Sequence, residues 1–370
     1  MSERIPRLVA FLLSATLVFL TACASSPPTP TPTIASKPAT KPTVAAPSAK
    51  PTAPSNTAAP PASSALEKLK IAKANVSGTF GALMTTKEAK LFEKYGLDAD
   101  IAVVNGATAA NASLLSGNAQ IVAASGSSVI NSILGGADAV IIASVVDWMP
   151  YQVVTVKDVN KAEDLKGKKI GINRFGGTAD FAARYWLKGK GIDPEKDVSI
   201  LQVGGQAERF AALKNGAVQA ILVDPPYNVT AARQGFKVLV DLSELDIPYA
   251  STVFITTRSF LNSKTDTVRK FAKAYTEGIA LYKSNPQLGI ETLKKYLKLD
   301  DSEVLSETYK YWSGRMEKVP LVRTQGVRLI LDQISANNPK AKETGPEKIM
   351  DMRVVKELET SGFVDSVQKH

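Results

Sequence analysis

From Leu69 onward, short apolar runs alternate with longer stretches whose apolar positions recur every three or four residues, a rhythm that predicts strands and helices in turn. It predicts a strand over 69–72, a helix over 80–95, a strand over 99–104 and a helix over 107–116 closed by Gly117. A strand over 120–124, a helix over 129–134 stopped by Gly135 and Gly136, and a strand over 139–146 follow. Such alternation argues for an α/β chain of parallel sheets covered by helices, with ligand sites beyond the carboxyl ends of the strands. The rhythm restarts over 162–172 with a short turn and a strand, then a helix over 178–190, a strand over 198–203, a helix over 208–215, and strands over 220–223 and 237–240. After Thr257 it becomes almost purely helical, over 265–283, 286–297, 302–315, 324–336 and 354–361.

Two seams divide this pattern. Met149-Pro150-Tyr151 and Ile247-Pro248-Tyr249 each lead a proline and tyrosine into a strand, and they bracket a stretch the size of a small domain. The expected organisation is a first lobe over 66–150, a second lobe over 151–250, and a return to the first lobe with C-terminal helices over 251–370.

A different pattern precedes Leu66. Arg4 and Arg7 lead into an apolar run over 8–20, too short to span a bilayer and shaped like an export signal over 1–22. Leu20-Thr21-Ala22-Cys23 resembles the lipobox of bacterial lipoproteins, which implies cleavage before Cys23 and a diacylated (palmitate-type) anchor on it. An ordinary signal peptide that happens to contain a cysteine is the alternative. Cys23 is the only cysteine, so no disulfide partner exists for it. Over 23–65 the chain is Pro, Thr, Ala and Ser with Lys37, Lys41 and Lys50, a composition that reads as a semi-rigid disordered tether or a glycosylated stalk.

Charge narrows the function classes. Of the formal +10, the signal holds +1 and the tether +3, leaving +6 on the remainder, an excess that favours anionic ligands or an anionic membrane surface. No cluster of Lys and Arg interleaved with aromatics points to nucleic acid. The single histidine, His370, is terminal and Cys23 is assigned to lipid, so nucleophilic and metal chemistry lack their usual residues and no cofactor is expected. Glu88, Lys90, Glu93 and Lys94 read as a solvated helix face.

Three segments carry a family resemblance: the run from Asp164 through Leu165-Lys166-Gly167-Lys168-Lys169 to Ile172, Gly204-Gly205 followed by Glu208-Arg209-Phe210 and on to Ala220, and Thr256-Thr257-Arg258-Ser259-Phe260-Leu261. Over 66–363 the chain resembles the solute-binding subunits of ABC importers, nearest the sulfonate, nitrate and taurine type, a group that includes binders of thiamine-pyrimidine precursors. The resemblance implies a two-lobed type II periplasmic-binding-protein fold with two crossover strands and a helical C-terminal extension. It also implies a monomeric receptor on the extracytoplasmic face that closes on a small anionic or aromatic solute and delivers it to a permease and its ATPase. The alternatives are a pyrimidine-precursor enzyme, whose internal histidine and cysteine cluster are missing here, and a sensory or interaction lipoprotein.

In that fold Ser125-Gly126-Ser127-Ser128 and Gly176-Gly177-Thr178 each open a helix after a strand. They read either as an anion clamp of N–H groups and hydroxyls or as two plain helix caps. Arg174 reads as a two-pronged oxyanion contact, an exposed loop residue, or a partner for Asp180. The resemblance brings Ser77, Thr79, Phe80, Trp148, Phe175, Asp224 and Tyr227 to the same cleft, with Trp148 the foremost candidate for a ligand face.

Overall fold

Along β1 (Glu67–Lys73) the side chains of Leu69 and Ile71 enter one core while Ala72 enters another, the two-residue alternation of a strand buried on both faces. The computed structural model describes residues 65–104 and 106–369, so the signal, Cys23, the tether and His370 lie outside the described residues. The other strands are β2 (Leu97–Val103), β3 (Ile121–Ser125), β4 (Val140–Trp148), β5 (Gln152–Thr155), β6 (Lys169–Ile172), β7 (Ser199–Gln202), β8 (Ala220–Val223), β9 (Lys237–Asp241) and β10 (Pro248–Thr256). They form two five-stranded sheets in the orders β2-β1-β3-β10-β4 and β7-β6-β8-β5-β9.

Neither sheet is purely parallel, contrary to the expectation. β10 runs antiparallel to β3 and β4, and β5 runs antiparallel to β8 and β9. Strand-helix alternation is a local signal that cannot encode the direction of a strand entering from the other sheet. β10 arrives that way, through a 3-10 turn over Leu242–Leu245 and a left-handed Asp246. The two Pro-Tyr seams run side by side, with Pro248 paired in register with Trp148.

The helix expected over 80–95 is also interrupted. A 3-10 turn Gly78–Phe80 leads into Gly81–Glu88, and Lys90 at φ 55° separates this from Leu91–Lys94. The break re-phases the chain so that Leu91 and Phe92 reach the core, where Phe92 stacks on Phe271 at 6.1 Å. Phe254 meets Phe271 and Tyr275 edge-on at 5.0 and 4.9 Å. Each such buried ring contributes roughly 1.5–3 kcal/mol. The charges near Glu88 are more than a solvated face, since Glu88 accepts hydrogen bonds from Tyr296 and Lys295, and Lys94 pairs with Glu277 at 2.7 Å.

β4 is an edge strand, yet all nine of its residues are buried. The C-terminal part of the chain covers it: Ile141 bridges Met350, Ile141 N–H donates to Ile349, Asp351 N–H donates to Ile141, and Ser144 N–H donates to Pro320. A single apolar core runs from Val122 and Val253 of the first sheet through Met149, Tyr249 and Ala250 to Ile170 and Leu222 of the second. All described residues fall in one compact unit.

Candidate ligand site

The carboxyl ends of β3 and β6 meet beside the crossovers, and their hydroxyls form one cluster. Ser125 ends β3 with its Oγ 3.0 Å from Ser127 Oγ and 3.4 Å from the hydroxyl of Thr178, the first residue of the helix after β6. Thr178 Oγ1 donates to the Ser251 carbonyl at 3.4 Å. The Tyr249 hydroxyl lies beside the hydroxyls of Ser127 and Thr178, and burial raises its pKa well above the ordinary phenol range. Neither helix start carries a side-chain cap. One expected donor of the clamp is nonetheless used, because Gly176 N–H donates to Asp180 Oδ2 at 2.8 Å. Asp180 also accepts from Arg184 Nε at 2.6 Å. Gly126 is needed bare, since a Cβ there would lie 2.0 Å from the Ala250 carbonyl oxygen.

A second cluster gathers around Asp224, just past β8 and 4 % exposed. Its N–H donates to Gln206 Oε1 at 2.9 Å, and Gln206 Nε2 donates to its Oδ1 at 3.0 Å. Burial pushes the Asp224 carboxyl up to about 7, opposed by Gln206, by the Arg209 guanidinium and by the Ser77 hydroxyl from the first sheet's side. Ser77 shares a 2.8 Å contact with Thr79. Arg209 is 2 % exposed, lies 5.8 Å from the Tyr151 ring, and leaves Nε and Nη1 without a partner. Desolvation lowers its pKa, as it does for the half-buried Arg174.

Aromatic side chains wall the junction. Trp148 is buried 6.4 Å from Trp312, and its Nε1 has no partner. Trp312 Nε1 donates to the Pro225 carbonyl at 3.5 Å and Tyr311 donates to the Pro150 carbonyl at 2.8 Å, so the helix Ser302–Arg315 touches both the crossover and the second sheet's elements. Other predicted residues sit apart from these clusters. Phe175 is 56 % exposed, Ser128 accepts from Asn111 on the helix's other side, and Tyr227 is half-buried, edge-on to Phe210 at 6.4 Å. Phe80 is buried and lies 5.0 Å below the ammonium of Lys73.

Lys73 and Arg209 were not among the predicted residues, although the pattern held a signal for each. Lys73 shares the strand face of Leu69 and Ile71, and Arg209 lies one helical turn before Leu213 on the buried face. Lys73 is 3 % exposed, its ammonium donates only to the Asn75 carbonyl at 2.9 Å, and desolvation lowers its pKa to about 8.

Two mixed five-stranded sheets joined by two crossovers define the periplasmic-binding-protein fold. The nitrate-binding protein NrtA of Synechocystis PCC 6803 superposes with a TM-score of 0.67 at 15% identity, over 82% of this chain and 91% of that one. The alkanesulfonate-binding protein SsuA of Xanthomonas axonopodis, solved with MOPS, gives 0.61 at 18% identity, over 74% and 94%. A Brachyspira hyodysenteriae protein, provisionally named an ABC transporter periplasmic binding protein, is 26% identical over 186 residues, 48% of this chain. That alignment spans 52% of the relative, so the chain spans about half the length of this curated relative. The family model described as NMT1/THI5 like matches residues 78–288, and the chain belongs to that family.

Proposed function

We propose that the chain is the extracytoplasmic solute-binding subunit of an ABC importer, with lobes over 66–150 plus 251–370 and over 151–250 that close on a small anion. A surplus of buried donors carries this reading. Arg209 Nε and Nη1 and Trp148 Nε1 have no partner among the described residues, and the Lys73 ammonium has a single carbonyl. Each unmet buried donor costs ~1–3 kcal/mol, so a ligand rich in acceptors is favoured there. Similar folds named for nitrate and alkanesulfonate binding support the same class. The aromatic wall of Trp148 and Trp312 suits an apolar or planar body on the anion. Ligand touching both lobes stabilises the closed arrangement, which the permease and ATPase then engage. The subunit works as a monomer without a cofactor.

The test is thermal unfolding with nitrate, ethanesulfonate and benzenesulfonate in a buffer free of sulfonates. A hundredfold excess over Kd is expected to raise Tm by about 5 °C. No shift with any of them would sink the anion reading. Lys73→Met is expected to lose that shift while raising the urea midpoint. The lysine's folded pKa lies below its unfolded value, so its contribution to stability is present above pH 10.5 and lost as pH falls through about 8. At pH 7, below both values, the replacement therefore relieves about 3 kcal/mol.

We propose a lipid anchor at Cys23 followed by the proline-rich tether, which leaves the lobes free to move beside a membrane. Among the described residues no helix is long and apolar enough to cross one. Cell fractionation should find the full chain with membranes and Cys23→Ser in the soluble fraction; an unchanged distribution refutes the anchor.

A further inference from the structure

We propose that the cleft takes its anion together with one proton carried by Asp224, so that solute binding and protonation of Asp224 are one linked event. This rests on the reading of the cleft as an anion site. The geometry assigns the oxygen. Asp224 N–H donates to Gln206 Oε1, which orients the amide so that Nε2 must donate to Asp224 Oδ1. Oδ1 is thus held as an acceptor, and Oδ2 is the oxygen free to take a proton. Ser77 approaches this carboxyl from the first sheet's side, so the protonated group sits where the two sheets' elements meet.

While the site is empty, the buried Arg209 cation and an ionised Asp224 balance each other, and Glu208 lies exposed at the rim. Arg209, on the same helix as Gln206, supplies one positive charge, and Glu208 faces it from that helix. Tyr151 from the crossover, Tyr227 from the helix after β8 and Tyr311 from the helix Ser302–Arg315 also face Asp224. Burial raises all three phenols, so they stay neutral between pH 5 and 9. An anion seated on Arg209 Nε and Nη1 leaves a surplus negative charge in a dry region beside Asp224. Protonating Oδ2 removes that surplus and adds a donor toward the anion. The seat therefore favours solutes whose facing surface is all acceptors.

The sign follows from linkage. Burial already holds the free Asp224 carboxyl near 7, and a neighbouring anion raises it further. Between those two values one proton is taken up per anion, so affinity falls about tenfold per pH unit above about 7 and is level well below it. Calorimetry on the full chain with nitrate and ethanesulfonate, from pH 5.5 to 9 in two buffers of different ionisation enthalpy, reads both affinity and proton number. Wild type is expected to take up close to one proton at pH 8. Asp224→Asn, whose amide donates without titrating, is expected to lose the pH dependence and to bind about thirtyfold more tightly than wild type at pH 8.5. Anion binding with no proton uptake between pH 7 and 9, or an Asp224→Asn variant that keeps the wild-type slope, overturns the proposal and leaves the anion reading standing. A wild type that binds neither probe at any pH overturns both.

Discussion

Replacing Gly126 with alanine is expected to cost about 3 kcal/mol and to abolish solute binding, the larger single-methyl effect among the helix glycines beside the site. A Cβ at this position meets the Ala250 carbonyl oxygen at 2.0 Å, and that oxygen belongs to backbone rather than to the end of a flexible side chain. Relief requires moving β10 where it passes between the sheets. On its other side the same strand is pressed by Gly326, whose own Cβ would meet Tyr249 N and Ala250 N at 3.0 Å. The strand has nowhere to retreat, so the helix Gly126–Leu134 must shift, carrying Ser125 and Ser127 out of the hydroxyl cluster. Gly314→Ala is the control: its position in the helix Ser302–Arg315 has nothing within 4 Å, so a Cβ is expected to be neutral or to stabilise by ~0.5–1 kcal/mol. Urea unfolding of both variants checks the pair, and equal midpoints would show that the close approach is not rigid.

Arg323→Gln is expected to destabilise by about 3 kcal/mol at pH 8 but by only about 1 kcal/mol at pH 5. Arg323 clasps both crossovers at once. Its N and Nε donate to Asp147 Oδ2 at 3.1 and 2.7 Å, its Nη2 donates to the Asp147 carbonyl at 2.5 Å, and its Nη1 reaches Asp246 Oδ1 at 3.5 Å. Asp246 is almost fully exposed and adds little. Asp147 is 3 % exposed with its Oδ1 unpartnered, and burial pushes its carboxyl up to about 6, opposed by Arg323. With the folded value above the unfolded one, this group favours the fold below pH 3.8, and that benefit is lost as pH rises through about 6. Losing Arg323 raises the carboxyl further, so at pH 5 it is neutral and needs no counter-ion, whereas at pH 8 a bare buried charge remains. Urea unfolding at the two pH values reads the difference, and Asp147→Asn in the same background should remove it. A cost independent of pH would mean that Arg323 acts through packing alone.

Element positions were legible because apolar spacing is a local property: the strands at Leu69, Ala220 and Lys237 and the long helices after Thr257 lie close to where the pattern puts them. Strand direction was not, since β5 and β10 are set by the sheet they enter. The short helix Arg258–Ser263 gives too little period to read, whereas the helix Tyr227–Arg233 is signalled only at its start, by Pro225-Pro226. At the site, Ser125, Ser127 and Thr178 come together in the structure, as do Ser77 and Asp224. Lys73 and Arg209 were not singled out, because apolar spacing says which positions are buried and not which buried side chain meets a ligand. The stripe itself placed them inside.

The cover over β4 bears on when the chain can finish folding. Met350 and its neighbours close an edge that begins at Val140, so the first sheet stays open along one side until nearly the last segment is available. As the chain emerges from its amino end during synthesis, the second sheet, whose strands are all local to 152–241, is complete long before the first. During that interval a nine-residue strand that is mostly apolar and wholly buried in the finished fold has no lateral partner on one side, the kind of surface that invites aggregation or a chaperone. Any truncation ahead of Met350 would make that interval permanent.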